Sequence, residues 1–183
     1  MNSDRRHVAC GWLIALLLLL STQGGAQSMQ VPSAVQAGLM VKVAAYDRNF
    51  PERAGRNVVV LLVAMPGKPE SMRAAMEMKG TLSALPSVGD LPHEEQIVSF
   101  SGASALADLA RSRKAAIVYI GPELNGQIGA IRDAFSTIDV LTVAAIPDYV
   151  PAGIVLGFDL VSGRPKLLLT IGQARKQHIA LPA

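Results

Sequence analysis

The stretch Val58 to Ala64 reads VVVLLVA, and it limits the possible fold more than any other part of the chain. It is an unbroken apolar run rich in β-branched residues, closed by Met65-Pro66-Gly67, and it has no polar side to turn toward water. Such a run is a strand covered on both faces, the usual condition of an interior strand in a parallel sheet with helices above and below.

The flanking patterns supply the helices that this strand requires. Val35, Leu39 and Val43 recur four apart, with Met40 and Ala44 beside them, and predict a helix over Pro32 to Tyr46. Ser71 to Leu85 reads as helix, ended by Pro86, and Gln96 to Phe100 as a second strand, with His93, Glu94 and Glu95 in a polar loop before it. Gly102 to Arg113 carries Ala103, Leu106, Leu109 and Ala110 on one face. Arg111, Arg113 and Lys114 follow at its end, where the helix dipole favours cations. Ala115 to Ile120 (AAIVYI) and Val140 to Ala145 (VLTVAA) are further strands, separated by a helix marked by Leu124, Ile128, Ile131 and Phe135.

Strands and helices alternating through short connections imply right-handed parallel crossovers, hence a three-layer α/β/α sandwich. The ending differs. Gly153 to Leu160 (GIVLGFDL) and Pro165 to Ile171 (PKLLLTI) flank a loop short enough for an antiparallel hairpin, and a final helix starts near Gly172. The expected fold class is therefore α/β, with a mostly parallel sheet, a C-terminal antiparallel hairpin and a last helix, in a single domain over 27–183.

Residues 1–26 have the grammar of a signal peptide. Arg5, Arg6 and His7 precede the apolar run Val8 to Leu20, and Gly24-x-Ala26 supplies small residues for cleavage after Ala26. Export to a periplasm is the expectation. The single cysteine, Cys10, falls inside this segment, so stability after cleavage rests on packing and not on disulfides. The chain beyond residue 26 has the size of one ordinary domain and needs no such staples. The net charge of +3 arises from 17 basic against 14 acidic residues scattered along the chain, and aromatics make up 4%. Neither favours nucleic-acid binding, which calls for basic patches and aromatic stacking surfaces.

Candidate chemistry is thin. Gly121-Pro122-Glu123-Leu124-Asn125-Gly126-Gln127 sits between a strand and a helix, yet Gln127 and Ile128 stand where a phosphate loop needs Lys and Ser or Thr. Ser101-Gly102-Ala103-Ser104-Ala105-Leu106 resembles a nucleophile elbow, but Leu106 occupies the position that must be glycine. His93 and His178 lack a helical metal-pair partner, and Met72 and Met76 lie one turn apart as core residues often do. No metal, cofactor or catalytic residue is expected, and the chain is not expected to be an enzyme.

The order of elements, with KVAAYDRNFPERAGRNVVVLLV near the start and VLTVAAIPDYVPAGIVLGFDLVSGRPKLLLTIGQARKQHIALPA at the end, resembles the YfiR family, a domain of unknown function. The strand Leu141 to Val143, the glycine at Gly153 and the run Gln173-Ala174-Arg175 carry most of the likeness. The resemblance implies a periplasmic regulator that binds an inner-membrane signalling protein, a diguanylate cyclase or sensor kinase, and in the repressing case lowers cyclic di-GMP synthesis. It also leaves room for a homodimer. Disulfide control known in the family does not carry over to a chain without the cysteines, and the final helix is expected to be shorter than the family's.

Two surfaces emerge from these readings. The turn Tyr46 to Gly55 concentrates charge and aromatics, and Tyr46, Arg48 and Phe50 are the expected partner-binding residues. A small-ligand module is the alternative. Its crevice would lie beyond the carboxyl ends of the strands, with Ser101, Gly121, Asp148 and Tyr149 as ligand-binding residues.

Overall fold

The computed structural model describes residues 31–182. The signal peptide expected over 1–26 lies outside the described residues. Helix α1 (Ser33–Tyr46) and a short α2 (Phe50–Ala54) lead into β1 (Val58–Ala64). Then come α3 (Pro69–Ser83), β2 (His93–Ser99), α4 (Ala103–Arg113) and β3 (Ile117–Ile120). A 3-10 turn and α5 (Ile128–Phe135) precede β4 (Leu141–Ala144), and the chain closes with β5 (Leu156–Val161), β6 (Arg164–Leu169) and α6 (Ile171–Lys176).

The six strands form one sheet in the order β2-β1-β3-β4-β5-β6, parallel except for the antiparallel pair β5–β6. This is the expected α/β sandwich. Alternation along β1 explains it: Val60, Leu62 and Ala64 face a layer made by α1, α2 and α3, while Leu61 and Val63 face α4 and α5. Each fully buried Val or Leu there contributes about 1.5–3 kcal/mol relative to exposure, so the central strand dominates the core.

Several local expectations change: Met72 and Met76, spaced as core residues, are exposed on α3. His93, Glu94 and Glu95 belong to β2 and not to a polar loop, because β2 is an edge strand that needs only the pairing Val58↔His93 to Ala64↔Ser99 on one side. Its side chains alternate between half-buried and exposed, which carries no continuous apolar signal. The turn after Tyr46 contains the extra helix α2, with Pro51 near its start, where a missing N–H costs nothing. Finally, β6 ends at Leu169, because Ile171 already opens α6.

The hairpin between β5 and β6 turns on Ser162 and Gly163, both at positive φ, the two-residue geometry that suits strand twist. Strand β5 meets β4 at a single pair, Val143↔Leu156, close to the end of β4. The hairpin therefore projects past the carboxyl ends of β3 and β4. Below it α6 packs toward β4: Thr142 donates to Gln177 Oε1 at 3.1 Å, and Gln173 Nε2 donates to the Arg132 carbonyl at 3.1 Å.

Candidate functional site

At the amino ends of the parallel strands, the turn after α1 is held by charge. Asp47 accepts from the Asn49 N–H at 3.1 Å, an Asx-type turn, and from the Ala180 N–H at 2.8 Å. Its second oxygen accepts from Arg53 Nη1 at 2.5 Å. The same guanidinium donates through Nε to Asp139, just before β4, at 2.6 Å and through Nη2 to the His178 carbonyl at 3.2 Å. Asn49 Nδ2 donates to that carbonyl as well, at 2.7 Å. The Asp47 carboxylate is fully covered and the Arg53 side chain almost so. A buried ion pair of this kind is favourable only when its remaining hydrogen-bonding groups are satisfied, and here the His178 carbonyl and the Asn49 and Ala180 N–H groups do that.

This clamp decides the fate of the three residues expected to bind a partner. Tyr46 is 67% exposed and Arg48 is exposed, both just outside the clamp. Phe50 is not available: it is 1% exposed, in the core cluster of α1 and α3. Its ring lies so close to the Gly89 backbone that a Cβ there would meet Phe50 Cε1 at 2.7 Å. An aromatic at a turn reads as exposed from sequence because the neighbouring polar residues mask its role as the apolar plug of a two-turn connection. Arg53 and Asp139 were missed, since their partnership spans positions far apart in the chain.

The carboxyl ends tell a different story. The Ser71 hydroxyl accepts from the Met65 N–H and donates to the Pro122 carbonyl, both at 2.8 Å, joining the loops after β1 and β3. Gly121 is required here, because a Cβ would stand 2.4 Å from the Val63 carbonyl oxygen. These bonds draw the loops after β1 and β3 together. Tyr149 is a structural residue and not a ligand contact: it is 2% exposed, and its hydroxyl accepts from the Leu124 N–H at 2.9 Å. Burial pushes its phenol up, against the pull of the Leu124 bond, and Glu123 pushes it further. Ser101 and Asp148 are exposed but do not converge. They follow β2 and β4, three strand spacings apart, or about 14 Å.

A cavity of about 180 Å³ lies beside this junction, between the start of α1 and the carboxyl ends of β3 and β4, lined by Ser33, Gln36, Glu77, Tyr119, Pro122 and Ile146 among others. The Tyr119 hydroxyl donates to Gln36 Oε1 at 3.2 Å, Gln36 Nε2 donates to the Val31 carbonyl at 2.8 Å, and Ser33 donates to Glu77 at 2.6 Å. Burial, then the Glu77 carboxylate, raises the Tyr119 phenol far above its ordinary value, so it stays a neutral donor. The cavity offers one anionic group and several neutral polar tips. In sequence the polar-tipped Tyr119 inside the AAIVYI strand marks a buried group in need of a partner, without marking the partners. Among the described residues no three His, Cys, Asp or Glu side chains come together, and no helix is long and apolar enough to cross a membrane.

The fold and its two polar ends define a three-layer α/β domain with a parallel core and an overhanging antiparallel hairpin. No family model and no curated protein matches the chain. Among solved structures it is similar to a conserved domain protein from Vibrio cholerae, with 12% identity and a TM-score of 0.57, covering 82% of this chain and 56% of that one. It is also similar to an ABC domain from Streptococcus pneumoniae in complex with L-Trp, with 10% identity and a TM-score of 0.57, covering 82% of this chain and 58% of that one. The chain thus spans less than two thirds of either protein, and at these identities the likeness is one of fold.

Proposed function

We propose that the protein is a non-catalytic periplasmic regulator of the YfiR type. It binds the sensor part of an inner-membrane signalling protein, a diguanylate cyclase or sensor kinase, and in the first case holds down cyclic di-GMP synthesis. The observation that carries this reading is the display of Tyr46 and Arg48 on a turn fixed by the Asp47–Arg53–Asp139 clamp. Tyr and Arg are the residue types most over-represented at interface centres, and a rigid mount lowers the entropy cost of docking them. The test is affinity capture from crosslinked, detergent-solubilised envelopes. Recovery of a membrane cyclase or kinase with the wild-type protein, and its loss in the Tyr46→Ala, Arg48→Ala double variant, is the expected result; equal recovery with both proteins sinks the reading.

A small-ligand module is the second reading, supported by the cavity lined by Gln36, Glu77 and Tyr119. At about 180 Å³ it lies below the ~300–1,000 Å³ usual for ligand pockets, so it suits only a small polar molecule or one part of a larger one. The Streptococcus pneumoniae neighbour binds L-Trp, which makes amino acids a sensible first panel. Thermal shift with that panel is the check, and a flat response throughout removes the reading.

A further inference from the structure

The two edges of the sheet are defended differently. Strand β2 carries His93, Glu94, Glu95 and Gln96, charges and polar groups that discourage pairing with another chain. Strand β6 carries such protection only near the hairpin, at Arg164, Pro165 and Lys166. Beyond them Leu167 and Leu169 are exposed, at 43% and 37%, and Ile171 is 54% exposed.

The hydrogen-bond parity of the hairpin shows which backbone groups are free. Thr170 donates to the Val155 carbonyl at 2.9 Å, so 155 and 170 are a hydrogen-bonded pair, as are 157 with 168 and 159 with 166 by alternation. Pro165, Leu167 and Leu169 therefore point their backbone groups away from β5. Proline sits at an outward position, where its missing N–H costs β6 nothing. Leu167 and Leu169 present intact outward N–H and C=O groups, and among the described residues β6 pairs only with β5.

We infer that β6 pairs antiparallel with β6 of a second copy about a two-fold axis at Leu168, joining two sheets into one. In this register Leu167 lies opposite Leu169 of the other copy on each side of the axis, which gives four reciprocal backbone hydrogen bonds from the outward groups. The side chains of Leu167 and Leu169 share the face of Leu156 and Phe158, so the two copies bring four leucines together. Lys166 falls opposite Thr170, and Arg164 lies beyond the end of the other copy's strand, so no like charges pair across the ladder. A shift of one residue either way is worse. Centring on Leu167 puts Pro165 at a position that needs a donor, and centring on Leu169 uses Ile171, already in α6. The strand is thus complementary to itself in one register, which is the requirement for a closed, isologous dimer. The surface is separate from the Tyr46–Arg48 turn, because the hairpin stands at the carboxyl side of the sheet.

Sedimentation velocity on the purified full chain over a wide concentration range, with Cys10→Ala as background, tests the inference. A reversible dimer is expected. Leu167→Pro removes one outward donor per copy without touching the β5 pairing, and weakens dimerisation about a hundredfold while the thermal midpoint of the monomer stays put. Leu169→Lys, which leaves every backbone group in place, has the same direction and covers the case in which the proline variant fails to fold. Leu168→Cys gives a disulfide-linked dimer on mild oxidation, because Leu168 faces itself across the axis, and Lys166→Cys does not. A wild-type monomer at all concentrations, unchanged dimerisation in both Leu167→Pro and Leu169→Lys, or crosslinking through Lys166→Cys overturns it. So does a monomer that takes up an extended peptide along β6 instead.

Discussion

At the amino ends of the parallel strands, a guanidinium and two carboxylates hold the turn after α1 to the last residues of the chain. At the carboxyl ends, the neutral hydroxyls of Ser71 and Tyr149 do the buried joining, and the Lys68–Glu123 ion pair, at 3.7 Å, stands exposed. The difference teaches where each end has room to act. Buried ions make a rigid clamp whose loss is costly, and rigidity is what an exposed Tyr46 beside Arg48 needs to serve as a fixed contact. Neutral hydrogen bonds narrow the crevice where open α/β sheets usually hold ligands, and the free volume left there is the cavity between the start of α1 and the carboxyl ends of β3 and β4.

The contrast is broken most sharply by Arg53→Ala. Removing the guanidinium leaves the covered Asp47 carboxylate without its counter-charge, and a loss of about 3–5 kcal/mol is expected by urea unfolding. A cost under about 1 kcal/mol would mean that the clamp is solvated in practice and that the two ends are alike. At the carboxyl end Ser71→Ala deprives the Met65 N–H and the Pro122 carbonyl of their partner, with an expected loss of about 1–3 kcal/mol by the same measurement. The smallest effect sharpens the comparison. Tyr46→Ala, outside the clamp, should change stability by no more than about 0.5 kcal/mol while removing partner binding in the capture experiment.

Much of the architecture was legible before the structure. VVVLLVA announced a strand covered twice, and the switch from helix-separated strands to GIVLGFDL and PKLLLTI announced the hairpin, because burial on both faces and short connections leave periodic traces. The start of β2 was not legible, since an edge strand tolerates His93 and Glu95 as readily as a loop does. Of the candidate residues, the exposure of Tyr46 and Arg48 agreed with the reading and the burial of Phe50 and Tyr149 did not. Whether an aromatic beside a polar turn points in or out depends on what lies across from it, here Gly89 for one and the Leu124 amide for the other. The cavity set of Gln36, Glu77 and Tyr119 and the clamp partner Asp139 join positions distant in sequence, and no local pattern carries that information.

The bond from the Ala180 N–H to Asp47 joins residues 133 positions apart. Asp47 and Arg53 therefore lack their full set of partners until the distant segment 178–180 has docked. Long-range contacts of this kind form late and slow the folding of the chains that depend on them. The turn that displays Tyr46 is consequently among the last parts of the molecule to set. Loss of the segment 178–180 would leave the six strands in place but not a firm contact surface, so a segment far from that surface in sequence is itself a condition for presenting it.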